Sequence, residues 1–142
     1  MAIPSQRVPF FYALCRSAIT LGGWRRVIER YQAQHKQLPN LSYLDLSSSG
    51  LRQMGFDPQD DHVVQVLRCF DAVDLRGGAI LTFARIPQGH FKAARLDGAD
   101  CRHVDFSEGF FVQASLCRVD ARGANFDGAN FNGADKTEMR FP

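Results

Sequence analysis

The chain has 142 residues, 45% of them hydrophobic and 23% charged, the size of one compact domain with too much apolar content for a globally disordered one. A net charge of +2 is too mild to imply a nucleic-acid partner by itself. Cys15, Cys69, Cys101 and Cys117 lie far apart, with no CxxC pair and no spacing of a zinc site, which fits four independent thiols in a reducing cytosol.

The charge is segregated. Residues 1–36 hold six basic side chains, Arg7, Arg16, Arg25, Arg26, Arg30 and Lys36, against Glu29 alone, a net of +5 that leaves −3 for the remainder. The apolar run from Val8 to Gly23 is interrupted by Pro9 and Arg16, so it reads neither as a spanning helix nor as a secretory signal. Over 24–36 the spacing of Trp24, Val27, Ile28 and Tyr31 predicts a basic amphipathic helix, with Arg25, Arg26, Glu29 and Arg30 on its other faces. Two readings stay open here. Either the apolar stripe packs on the rest of the protein and the arginines are solvated, or the segment 7–31, including Phe10 and Phe11, meets a partner groove or a membrane surface.

Ser48 or Ser49 is expected to cap a short helix through Leu51 and Met54 that ends at Gly55. Asp57-Pro58 is expected to open a second helix over 58–69, with Asp57 as N-cap and Pro58 in its first position. These elements divide the chain into a basic helical extension (1–56), a helical cap (57–72) and a repeat region (73–142).

The repeat region follows a period of five. Leu81, Ile86, Phe91, Leu96, Cys101, Phe106, Phe111, Leu116, Ala121, Phe126, Phe131, Lys136 and Phe141 stand in strict register, and six of these thirteen are Phe, half of the phenylalanines in the chain. Two residues before each centre stands Ala, Gly or Val, except at Met139. A period of five suits neither a helix at 3.6 nor a strand at 2, so the chain must turn after every unit and send one large and one small side chain inward.

Units such as Ala94-Arg95-Leu96-Asp97-Gly98, Ala124-Asn125-Phe126-Asp127-Gly128 and Ala129-Asn130-Phe131-Asn132-Gly133 resemble the A(D/N)LXX motif of the pentapeptide-repeat proteins. The resemblance runs continuously over 81–141, and Val73-Asp74-Leu75 looks like an earlier unit offset by one inserted residue. It implies a mainly β fold, a right-handed quadrilateral parallel β-helix with four units per coil and about three coils, capped by an α-helical N-terminal region. Leu81 to Leu116, Phe126 and Phe131 are its expected core. Lys136 falls on an inward centre, where an unpaired ammonium is costly, so the last coil is expected to fray or turn outward near residue 134.

No catalytic, cofactor or metal constellation is read from the sequence. Asp57, Asp60, Asp61 and His62 form the densest cluster of ligand-type residues, and helix N-terminal acids account for three of them. Cys117 is expected to point outward, with Arg118 beside it. The reading is therefore a non-enzymatic protein-interaction module of a bacterial cytoplasm. Its candidate partner-binding residues are Phe10, Phe11, Trp24, Arg25, Arg26, Arg30 and Tyr31 in the head, and Phe131 and Phe141 in a last coil that could also form a homodimer. Some relatives implied by the resemblance mimic DNA and bind gyrase, but residues 81–142 carry eight acids and eight bases, not the acidic surface such mimicry needs. A peripheral membrane accessory subunit, held through 7–31, is the third reading. Direct nucleic-acid binding lacks an aromatic stacking platform.

Overall fold

A computed structural model describes residues 2–141; Met1 and Pro142, the outer limits of the predicted extension and repeat region, lie outside the described residues. The five-residue lattice folds as a ladder of isolated parallel bridges. On the first face Asn40 bridges Ile80, which bridges Asp100, then Asp120, then Arg140. The second face runs through Asp45, Arg85, Asp105 and Asn125, the third through Cys69, His90, Phe110 and Asn130, and the fourth through Asp74, Arg95, Ser115 and Asp135. From Ile80 onward bridged residues are twenty apart, so four five-residue units make one turn. Each face contributes one bridging residue, not a multi-residue strand. The donors alternate in direction: Phe91 N–H reaches down to Phe110 O at 2.7 Å while His90 N–H reaches up to Arg68 O at 2.8 Å.

Inside, the phenylalanines concentrate on two adjacent faces. Phe70, Phe91, Phe111 and Phe131 stack on the third face with ring centroids 4.9, 4.9 and 5.3 Å apart and planes within 14°. Phe106 and Phe126 stack on the second face at 5.3 Å and meet the first column edge-on, Phe106 to Phe111 at 5.2 Å and 86°. Offset stacks and edge-to-face contacts suit the ring quadrupole. On the remaining faces the buried centres are aliphatic or small, among them Leu81, Cys101 and Ala121.

The helices α1 (Val8–Leu21), α2 (Arg25–His35), α3 (Ser48–Met54) and α4 (Asp61–Leu67) pack together over the first coil, with α1 touching each of the other three. The domain limits drawn from the sequence need correction. Residues 40–46, placed in the helical extension, already belong to the ladder, and Leu41, Leu44 and Leu46 are buried in the common core. The segment carrying α3 and α4 is an insertion between the second and third faces of this first coil, not a cap that precedes it. The stack is consequently longer than three coils: the first face alone carries four successive bridges.

The insertion leaves the coil at a tight corner. Asp45, 2% exposed, accepts from Ser47 N at 2.9 Å, and Ser47 caps α3, one residue earlier than expected. A Cβ on Gly50 would stand 2.2 Å from Asp45 O, so only glycine fits there. The helix expected over 58–69 is shorter, and Asp57 is not its cap. Asp57 instead accepts from Gln59 N at 2.9 Å and Asp60 N at 3.1 Å, closing a turn through Pro58, and Asp60 caps α4 through Val63 N at 3.2 Å. Proline fits the turn because it presets the backbone angle of its second position.

At Lys136 the last coil neither frays nor turns outward. Leu116 N still finds Asp135 O at 2.7 Å and Arg118 N finds Thr137 O at 2.9 Å. The lysine stem carries its ammonium outward, 4.8 Å over the Phe131 ring and 5.7 Å over Phe141, which replaces burial with cation–π contact.

Three units carry an Asp–Arg fork across two residues: Asp74–Arg76, Asp100–Arg102 and Asp120–Arg122, each with Nε and Nη2 of the arginine on the two carboxylate oxygens at 2.7–2.9 Å. The arginine hydrogen bonds hold all three carboxyls below their ordinary range, Asp120 at about 2. Folding thus favours the ionised carboxylates, and their contribution is complete above the unfolded value of about 4 and lost as pH falls through the folded one. Urea titrations of wild type should show a midpoint that drops between pH 5 and pH 2.5, and Asp120→Asn should flatten that drop; an unchanged pH profile in the variant would contradict the assignment.

Candidate functional site

The head is joined to the solenoid through Trp24. Its backbone N–H donates to Cys69 O at 3.0 Å, the bond that a preceding coil would make. Its indole stacks on Phe70 at 5.1 Å and 5°, and Nε1–H donates to Leu67 O at 2.8 Å. Gly23 makes this approach feasible, because with φ at +143° and Cys69 O 3.1 Å from any added Cβ a larger residue would push the indole off its seat. Trp24 is therefore one more rung of the third face, fully buried.

Burial sorts the residues singled out in the sequence. Phe11 and Trp24 are core and unavailable to a partner, and Val27 and Ile28 are buried beside them. Phe10 and Tyr31 are half-buried against each other, ring centroids 6.1 Å apart. The reason is geometric: the apolar stripe of α2 faces α1 and the first coil, leaving Arg25, Arg26 and Arg30 exposed. Arg25 pairs loosely with Glu29 at 3.9 Å. Arg7, counted among the basic side chains of the head, is engaged internally, its guanidinium 4.7 Å over the rings of Phe10 and Phe11 and its Nη2 donating to Asn40 O.

At the other end, Phe126 and Phe131 are half-buried and Phe141 is 49% exposed, the surface on which a homodimer contact was expected. The repeat-core residues from Leu81 to Leu116 are buried as a set. Sequence reasoning missed the outer column of Tyr43, Phe83 and His103, whose rings stack at 5.3 and 4.8 Å on one corner. They stand twenty or forty residues apart, so the repeat register could have found them once residues 40–46 were recognised as a coil.

Asp57, Asp60, Asp61 and His62 are exposed, and two of them are engaged in the turn and cap described above. Among the described residues no group of three His, Cys, Asp or Glu side chains is placed to hold a metal ion, and no helix is long and apolar enough to cross a membrane. Cys117 is half-buried beside acids and hydroxyls: its N–H donates to Asp97 at 3.1 Å and Ser115 Oγ lies 3.8 Å from its sulfur. That environment is opposite to the cationic one that activates a thiolate.

The repeats have counterparts among known proteins. The family model described as Pentapeptide repeats (8 copies) matches residues 94–133, so this segment is built of pentapeptide repeats, a repeat for which a right-handed β-helix solenoid is the common fold. Proteins of this class are generally non-catalytic interaction or structural modules. Among solved structures, the chain is similar to a pentapeptide repeat protein of the cyanobacterium Cyanothece 51142, at 16% identity over 79% of this chain and 88% of the other, TM-score 0.45. HetL of the cyanobacterium Nostoc sp. strain PCC 7120, a pentapeptide repeat protein involved in heterocyst differentiation regulation, is 21% identical over 51% of this chain and 44% of its own, TM-score 0.27. A pentapeptide repeat protein of the Arabidopsis thaliana thylakoid lumen is 20% identical over 72% of this chain and 68% of its own, TM-score 0.25. No curated protein matches the chain.

Burial pushes the Cys15 thiol up to about 12 and raises that of Cys101 further. Thiol labelling of the native protein at pH 8 should therefore modify Cys69 and Cys117 first and leave Cys15 and Cys101 until urea unfolds the chain. Rapid native labelling of Cys101, read by peptide mass, would show that the coils open far more readily than this packing allows.

Proposed function

We propose that the protein is a non-catalytic protein-interaction module in which the β-helix holds the basic helical head rigidly as a docking face for a protein partner. The observation that carries this reading is the Trp24 joint. It fixes α2 to the ladder by two hydrogen bonds and a ring stack, with the apolar stripe buried and the arginines left outward. A flexible basic tail would pay ordering entropy on binding, whereas a pre-ordered face does not. The alternatives draw less support. A DNA-mimicking side wall needs unneutralised acids, but three carboxylates of the coils are forked to arginines. Insertion into a membrane surface needs free apolar side chains, but Phe11, Trp24, Val27 and Ile28 are buried.

Deleting residues 1–36 is not a clean test, since it removes Trp24 and uncovers Phe70. The decisive experiment crosslinks the tagged full chain in its native cells and maps the contacts. A stoichiometric protein partner crosslinked to α1 or α2 is expected. It should fall at least tenfold for the variant Arg25→Glu/Arg26→Glu/Arg30→Glu, whose circular dichroism should match wild type. Crosslinks confined to the coils, a partner indifferent to the reversal, or turnover of a small substrate would overturn the proposal.

The joint itself gives a stability prediction. Trp24→Ala should lower the unfolding free energy by about 3–5 kcal/mol, the range for buried Trp truncation, whereas Arg26→Ala should stay within about 0.5 kcal/mol. Equal urea midpoints for the two variants would show that the head contributes nothing to the fold.

A further inference from the structure

The solvent side of the α1–α2 pair is not smooth. A hollow of about 110 Å³ lies between Leu14, Ser17, Leu21, Val27, Arg30, Tyr31 and Gln34, and a second of about 260 Å³ opens beside Arg16, Ser17, Thr20, Leu21 and Arg30. They share Ser17, Leu21 and Arg30, and so form one groove along the helix pair. Its lining is mixed: in the first hollow Leu21 and Tyr31 lie half-buried over the buried Leu14 and Val27, beside the polar Ser17 and Gln34, and in the second Leu21 is the apolar side chain beside Ser17 and Thr20. Its rim carries Arg16 and Arg30, both exposed, and no acid lines it. Glu29, the single acid of residues 1–36, is turned to Arg25.

We infer that this groove docks an acidic amphipathic segment of a partner protein, with an aliphatic side chain seated on Leu21 and Tyr31 and carboxylates on Arg16 and Arg30. The inference rests on the reading of the chain as an interaction module and adds which surface is used and by what chemistry. An apolar patch of Leu21 and Tyr31 edged by two unopposed arginines suits a short apolar face of a helix flanked by opposite charge. The same features argue against a nucleic acid. Tyr31 is the one aromatic ring on the floor, and it is already engaged by Phe10 at 6.1 Å and His35 at 4.1 Å, so no free ring is offered to a base. A lipid surface would use the arginines but leave the concave floor empty.

The probe is a labelled fourteen-residue peptide of Leu and Glu with Leu at helical 3 and 4 spacings. Two controls go with it, the same residues permuted to destroy the apolar face and a version with Lys in place of Glu. Vesicles of phosphatidylglycerol and phosphatidylcholine provide the lipid arm. By fluorescence anisotropy the full chain should bind the Leu/Glu peptide, at least tenfold tighter than the permuted one. Arg16→Glu/Arg30→Glu should reduce that affinity at least tenfold and take up the Lys version instead. Ser17→Trp, at an exposed position, fills the groove without entering the core and should weaken binding to a similar degree. Equal binding of the permuted peptide, indifference to the charge reversal, binding to vesicles alone, or no binding up to about 1 mM peptide would each overturn the groove assignment. If the native partner is still lost on reversing Arg25, Arg26 and Arg30 while the peptide fails, the interaction-module reading stands and this inference falls.

Discussion

An indole stacked on a phenylalanine column is the contact on which the rest of the molecule depends. A parallel ladder leaves its first coil with bare backbone donors and acceptors and an uncovered apolar interior, and both must be met. Trp24 meets both at once. Its N–H supplies the hydrogen bond of a missing rung to Cys69, and its ring extends the Phe70–Phe91–Phe111–Phe131 stack by one member. Because the indole Nε1–H would be orphaned so deep in the core, its bond to Leu67 O matters as much as the stacking. That bond also ties the end of α4 to the start of α2. The four helices and the coils therefore share one hydrophobic core, and the head has no independent existence as a tail.

The aromatic concentration on two adjacent faces explains how a lattice with Cys101 and Ala121 at its centres can still be filled. Rings of the second and third faces meet edge-on at 5.2 to 5.8 Å, so the large side chains occupy the interior space that the small ones leave. A tightly packed core needs a constant total volume per layer and not a large residue at every centre. Truncating a stacked phenylalanine would open a void that its layer has no spare atoms to fill.

Much of this was legible because a five-residue period has few physical solutions. The register from Leu81 to Phe131 names the core residue by residue, and the Val73-Asp74-Leu75 unit with its one-residue offset matches the bridges of Asp74 to Arg95 and Cys69 to His90. The first two units escaped for a local reason. Asn40-Leu41 and Asp45-Leu46 carry the polar–large pair five residues apart, but Pro39 and Leu44 stand where a small residue is usual, and the α3–α4 insertion separates them from Cys69. Lys136 misled for a different reason: the lattice fixes where a Cα sits, while a four-carbon stem decides where the charge ends up. In the head, Trp24, Val27 and Ile28 make a pattern that fits a core or a partner equally well, and tertiary packing chose the core. The arginines were legible as exposed charge. The groove was not, because it exists only where α1 and α2 lie side by side.

Charge placement follows the same division between scaffold and head. Three carboxylate–guanidinium pairs of the coils sit two residues apart and within 2.7–2.8 Å, so their fields cancel well inside a Debye length of about 8 Å at physiological salt, and residues 81–142 as a whole carry eight acids and eight bases. In the head, Arg16, Arg26 and Arg30 project from helices whose acid content is Glu29 alone. At the distances over which an approaching molecule is steered, the head carries a concentrated +5 against −3 spread over the remainder of the chain, and so supplies most of the positive field. Rim charges of this kind act chiefly on the rate of encounter and on orientation, and the apolar floor then decides how long a partner stays. Salt should consequently slow association with an acidic partner more than it speeds dissociation, because in the proposed complex the exposed pairs on Arg16 and Arg30 are screened while the apolar contacts on Leu21 and Tyr31 are not.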